Sequence, residues 1–125
     1  NLNTSMEFNK QESEQNSIVS VENSQIKLAH TILSTPCFIS PSYTSETEIT
    51  SLDQLDKASL FPLSSQDDID LLIIGTGDTT KFLYPKQQVA IQQMGIGVES
   101  MNSESACRSF NLLLSDVRRV GLLLL

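Results

Sequence analysis

Three places in this chain carry residues able to do chemistry. Gly75-Thr76-Gly77 follows an apolar run, as the phosphate-cradling loop of a dinucleotide site does, and Glu99 lies near where an acid would hold a ribose. Cys107 stands beside Arg108, a pairing in which positive charge favours thiolate. Asp67, Asp68 and Asp70 cluster carboxylates of the kind that hold hard cations.

Each place also has a plainer explanation. A dinucleotide loop has a third glycine where this chain has Thr80, and Asp78 sets negative charge beside the imagined pyrophosphate. The next helix signal comes only at Pro85, too late for its N–H groups to hold a phosphate, so a flexible strand-end turn is the better reading. Cys107 falls at the margin of an apolar stripe, where cysteine packs as a small hydrophobe. The single histidine, His30, is too distant in sequence to pair with it by inspection. The aspartates read as a solvated run guarding a hydrophobic strand. With one His and two Cys, no metal is expected.

The elements that position these groups follow from residues 71–125. Leu71, Leu72, Ile73 and Ile74 are apolar without alternation, the habit of a strand covered on both faces. Burying four such side chains favours folding by ~6–12 kcal/mol as an upper bound. Pro85 suits a helix's first turn and Gly95 the position past its end, with Ala90, Ile91 and Met94 on one face and Val89 off it. Ile96 to Met101 is the next strand. Asn102 or Ser103 caps a second helix, whose stripe is Ala106, Phe110, Leu113, Leu114 and Val117. Arg118 and Arg119 meet its negative end, and Val120 to Leu125 closes the core. The result is β-α-β-α-β with parallel pairing and right-handed crossovers. It gathers Gly75, Thr76, Gly77, Glu99, Met101, Cys107, Arg108 and Asn111 at the strands' carboxyl edge, where α/β proteins bind ligands. Glu99 and Arg108 equally suit a structural ion pair there.

The first half is weakly patterned. Ile18 to Val21, the turn Glu22-Asn23-Ser24 and Gln25 to Leu28 form a hairpin. A strand over His30–Leu33 ends at Pro36, and Ser40 to Glu48 is polar loop. Ser51-Leu52-Asp53-Gln54 is a capping box before a short helix that ends ahead of Pro62.

Composition excludes several roles. The formal charge is −7, and the acids concentrate before residue 71, where only Lys10, Lys27 and Lys57 oppose them. No basic stripe exists for nucleic acid or anionic lipid. No apolar run reaches the ~20 residues of a membrane helix, and no arginine precedes Arg108, against an organellar transit peptide. Two distant cysteines imply no disulfide framework, so a reducing cytoplasm is expected. The chain of 125 residues is read as a single domain over 1–125, with 1–5 a candidate leader or tag remnant and Met6 a candidate start.

Leu72-Ile73-Ile74-Gly75-Thr76-Gly77, Phe82, Gly95-Ile96-Gly97-Val98-Glu99-Ser100-Met101 and Ala106-Cys107-Arg108-Ser109-Phe110-Asn111, with Arg118 and Val120 at the end, together resemble the Mth-type domain of unknown function. Its relatives include the mitochondrial complex I assembly factor three and an adipogenesis-associated vertebrate protein. The resemblance is strong over 70–125 and holds in outline from Met6 and Phe8. It implies a three-layer α/β/α domain with a mixed central sheet and no established catalytic activity. It also implies a protein partner such as a membrane-complex subunit, and no cofactor is expected; the absence of mitochondrial targeting and the acidic character point to a bacterial cytoplasmic member, with a homo-oligomer as a further expectation. Three departures stand out: Asn102-Ser103 replaces the usual Asp-Thr, Ser109-Phe110-Asn111 replaces Thr-Tyr-Asn, and Asp116-Val117 replaces Glu-Gly. The functional expectation is a non-catalytic interaction or assembly module. The alternative is a small-molecule binder or cysteine-dependent enzyme at the carboxyl edge, and self-association through a sheet edge or the outward Leu112 is a third route.

Overall fold

A computed structural model describes residues 15–125; Met6 and Phe8, and the proposed leader, lie outside them. Two sheets form. β1 (Ser20–Glu22), β2 (Gln25–Lys27) and β3 (Ile32–Ser34) make a small antiparallel sheet. Its first turn holds Asn23 at φ 50 and Ser24 at φ 63, the left-handed pair that a two-residue hairpin requires.

The main sheet runs β5-β4-β8-β6-β7. Its strands are β4 (Cys37–Ile39), β5 (Thr44–Glu46), β6 (Leu71–Gly75), β7 (Gly97–Met101) and β8 (Val120–Leu124). β6 pairs parallel with both β7 and β8, as the helical connections demand, while β4 runs antiparallel to β8 and makes the sheet mixed. The helices are α1 (Lys57–Ser64), α2 (Pro85–Gln92) and α3 (Ser103–Ser115).

Side-chain alternation splits the core into two layers. Cys37, Ile39, Ile73, Val120, Leu122 and Leu124 point to one face, under α3 and the small sheet. Phe38, Leu72, Ile74 and Leu123 point to the other, under α1 and α2. This is the expected three-layer α/β/α arrangement, built on strands that are apolar on both sides.

Several local expectations are corrected. Thr44–Glu46, inside the expected Ser40–Glu48 loop, is a strand, and Cys37–Ile39, between Pro36 and Pro41, is another whose three residues carry too little pattern to announce themselves. α1 runs through Pro62 to Ser64, because Asp56 caps its start (Oδ1 accepts from Ser59 N–H at 2.8 Å) and Leu60 and Leu63 anchor it in the core. The Ser51 capping box exists, on a short 3-10 turn over Leu52–Gln54. β7 is a half-exposed edge strand, starting one residue later than expected, at Gly97. Val117 is off the α3 stripe and 80% exposed, since the helix has ended. Arg119 does not serve the helix end: it bonds Asp68 at 3.2 Å and Asp70 at 3.3 Å. The aspartates are therefore partnered, and Asp67 accepts from Ser40 Oγ at 2.6 Å and Ser42 N–H at 2.8 Å. Burial would raise the Asp67 pKa, but these hydrogen bonds outweigh it and hold the carboxyl below its ordinary value.

Candidate functional site

The carboxyl ends of β6 and β7 meet the start of α3, and there the chain spends its polar groups on itself. Gly75 ends β6 where a Cβ would lie 2.5 Å from Leu124 Cδ2 and 3.1 Å from Ser103 Cα. Glycine is favoured by the close approach of Leu124 of β8 and of the α3 start rather than by unusual backbone angles. At Gly77 the reason is conformational, with φ at 88. The Thr76 N–H donates to the Met101 carbonyl at 2.9 Å, and Thr76 Oγ1 donates to the Thr79 carbonyl at 2.7 Å while accepting from Lys81 N–H. Gly77 N–H donates to Ser103 Oγ, and Ser103 N–H returns a bond to the Gly77 carbonyl, both at 2.8 Å. The Thr76 N–H is thus spent on β7 and the Gly77 N–H on α3, so neither is free to cradle a phosphate. Asn102 Oδ1 caps the helix by accepting from Ser105 N–H at 2.8 Å.

Gly77, Cys107, Arg108 and Asn111 line an open groove of about 820 Å³ between the small sheet and the first half of α3. Its opposite wall is Ile18, Val19, Val21 and Ile26, and Leu124 lies along it as well. Local patterning could not place that wall, because the hairpin reaches it by long-range packing. Asn111 fixes the junction: its Oδ1 accepts from Ile18 N–H at 2.8 Å and its Nδ2 donates to the Ile18 carbonyl at 2.9 Å. The side chain acts as a short strand partner for Ile18.

The remaining candidates do not join the groove. Gly75 and Thr76 are buried behind it. Met101 is half-buried against α3, with Ser109 Oγ 3.5 Å from its sulfur. Glu99 sits on the exposed edge strand, beside a hollow formed with Phe82, Leu83 and Gln88. The proposed Glu99–Arg108 tie is not made: Arg108 bonds Glu104 Oε1 at 2.6 Å, one helical turn away on its own helix.

Cys107 is only 7% exposed, and Cys37 beneath the same face is fully buried; both are free thiols. Burial pushes Cys107 up to about 11, and neighbouring Arg108 lowers it by less than burial raises it. Cys37 is pushed up to about 12, by burial first, then by Cys107 and Glu46. The activated thiolate considered from sequence is therefore reversed in direction, because the helix sets the sulfur into the core. Among the described residues no three His, Cys, Asp or Glu converge to hold a metal, and no helix is long and apolar enough to cross a membrane.

Residues 18–125 match the family described as a protein of unknown function (DUF498/DUF598), and the chain belongs to that family. An uncharacterized protein of Rhodobacter capsulatus is 41% identical over 70 residues, covering 56% of this chain and 55% of the relative. The human NADH dehydrogenase [ubiquinone] 1 alpha subcomplex assembly factor 3 is 38% identical over 66 residues, covering 53% of this chain and 35% of that protein. The chain thus aligns with about half or less of these relatives' lengths. A Bordetella pertussis protein described as a Mth938-like domain shares the fold with a TM-score of 0.74 at 20% identity, over 88% of this chain and 85% of that one.

Proposed function

We propose, from membership of the DUF498/DUF598 family and kinship with a complex I assembly factor, that this chain is a protein-interaction module that assists assembly of a larger complex. The observation that carries the reading is the fate of the polar groups at the carboxyl edge. Thr76, Gly77, Asn102, Ser103 and Asn111 are occupied in joining β6, α3 and the hairpin, and the one thiol near the groove is held protonated. A surface whose donors already have partners offers shape and apolar area rather than a reacting group. We read 1–125 as one domain and, because both free thiols suit a reducing compartment, place it in a bacterial cytoplasm. The partner would be a protein, such as a subunit of a membrane complex.

Affinity capture with the full chain from its source cell tests this: one stable partner should co-purify in stoichiometric amount, and recovery of none across mild conditions would sink the reading. The second reading is a small-molecule site in the groove, and its size, about 820 Å³, lies within the range of ligand pockets. Its cysteine-dependent version requires a thiolate that the burial of Cys107 opposes.

A further inference from the structure

β7 leaves a free edge on the main sheet. It pairs with β6 in the register Gly97↔Leu71 to Met101↔Gly75 and has no other strand partner among the described residues. The Gly97 N–H donates to the Asp70 carbonyl, and the Met101 carbonyl accepts from Thr76, each at 2.9 Å. In a parallel pair alternate residues turn both backbone groups to the same neighbour, so Gly97, Glu99 and Met101 face β6. Val98 and Ser100 direct their N–H and C=O groups outward, and no described turn, loop or side chain bonds them. The opposite edge differs: at β5, Glu46 Oε2 accepts from Ser34 N–H of the small sheet at 2.8 Å, so that edge is partly covered.

The two faces of the β7 edge are chemically distinct. Val98 packs on the α2 face, where the β7 edge (Val98, Glu99 and Ser100) borders a hollow of about 300 Å³ with Phe82, Leu83 and Gln88; Phe82 is 76% exposed. Alternation puts Glu99 on the α3 face with Met101. Glu99 is exposed and, among the described residues, has no ion-pair partner, the three ion pairs lying at Arg108 and Arg119.

We propose that β7 accepts an extended strand from a protein partner with the pattern apolar–basic–apolar, the Lys or Arg lying opposite Glu99 and the apolar residues over Val98 and Phe82. The inference rests on the interaction-module reading and names its surface. Backbone groups of Val98 and Ser100 supply the ladder, and the alternate side chains supply selectivity, which is strand addition to a sheet edge. Charge complementarity selects this occupant over a second copy of the chain. A two-fold antiparallel pairing centred on Glu99 sets two carboxylates directly opposite each other, a destabilising cross-strand pair. Shifting the centre to Val98 runs the ladder into the Gly95 turn at φ 80, and shifting it to Ser100 runs it into Asn102, the α3 cap.

The test uses the isotopically labelled full chain and two end-blocked peptides, Thr-Val-Lys-Val-Thr and its twin with Glu at the centre. The lysine peptide should shift the Val98 and Ser100 amides and slow their exchange, binding at least tenfold tighter than the twin at low salt. Glu99→Lys should exchange that preference. Ser100→Pro should abolish binding with resonance changes confined to its neighbours in β7 and β6, since its N–H points away from β6 and an edge proline is tolerated there. Shifts confined to the hairpin–α3 groove, or equal binding of both peptides, would overturn the inference. So would peptide-free protection of Val98 and Ser100 that grows with concentration, which would assign the edge to a second copy. A cellular partner retained by both wild type and Ser100→Pro would overturn the edge while leaving the interaction module standing. Capture of no partner by the wild type counts against the module itself.

Discussion

Val117 is a residue whose side chain the backbone opposes. It follows the α3 cap, Asp116, at φ 60. Arg118 N–H donates to the Leu113 carbonyl at 3.1 Å and Val117 N–H to the Leu114 carbonyl at 3.0 Å, the paired bonds of a Schellman ending. That ending asks for glycine, and this sequence puts a β-branched residue there. The left-handed conformation costs an L-residue ~1–2 kcal/mol. Removing the side chain loses little burial, because Val117 is 80% exposed. Against the gain stands the extra freedom of glycine in the unfolded chain, roughly 0.5–1 kcal/mol. Val117→Gly should therefore stabilise the protein by ~0.5–1 kcal/mol, or about 2–4 °C in Tm at this size. Urea unfolding should show a raised midpoint with an unchanged slope. Val117→Ala keeps the Cβ and should recover only part of the gain. A glycine variant no more stable than wild type, or an alanine variant that gains as much, would refute the backbone argument.

Other outcomes follow from the same geometry. A thiol at about 11 instead of 9.0 holds ~100-fold less thiolate at neutral pH, partly offset by its greater intrinsic nucleophilicity. Cys107 in a Cys37→Ala background should thus react with iodoacetamide at least ~10-fold slower than free cysteine; a rate equal to free cysteine would reject the buried-thiol account. Because the folded thiols titrate above their ordinary 9.0, their contribution to stability is complete below pH 9 and is lost as pH climbs through 11 to 12. Thermal melts from pH 8 to 11.5 should show that decline, and Cys37→Ala should reduce it. Asp67 is depressed in the folded state, so its contribution is present above the ordinary carboxylate range and lost as pH falls through the folded value. Ser42→Ala removes one hydroxyl donor and should move acid unfolding to higher pH; coincident acid midpoints would refute this. Gly75→Ala should cost ~1–3 kcal/mol by driving Leu124 and the α3 start apart, measured by denaturant unfolding, with Leu124→Ala in the same chain relieving part of it. No loss on Gly75→Ala would mean that α3 is not pinned to β6 as described.

What could be read in advance was whatever repeats over short distances. Leu71–Ile74 carries its own strand signal, Pro85 and Gly95 mark the α2 ends, and Ala106, Phe110 and Leu114 stripe α3. The hairpin turn was legible from Asn23-Ser24 chemistry. The candidate site was legible only in part: Gly77, Cys107, Arg108 and Asn111 share a groove, whereas Glu99 and Met101 lie apart from it. Whether a glycine N–H is free for a ligand depends on Ser103, 26 residues further along the chain, which no local pattern reports.

Residues alone determined the alternation of apolar runs and helices, and with it the parallel centre of the sheet, since helical crossovers admit no other pairing. Tertiary structure alone decided that Cys37–Ile39 joins the sheet beside β8, that burial moves the Cys107 thiol away from thiolate, that Asn111 clasps Ile18, and that β7 is left with an open edge. The division has one physical cause. Helix and strand periods are encoded between near neighbours, while desolvation, hydrogen-bond partnership and edge exposure depend on which distant segments come to lie alongside.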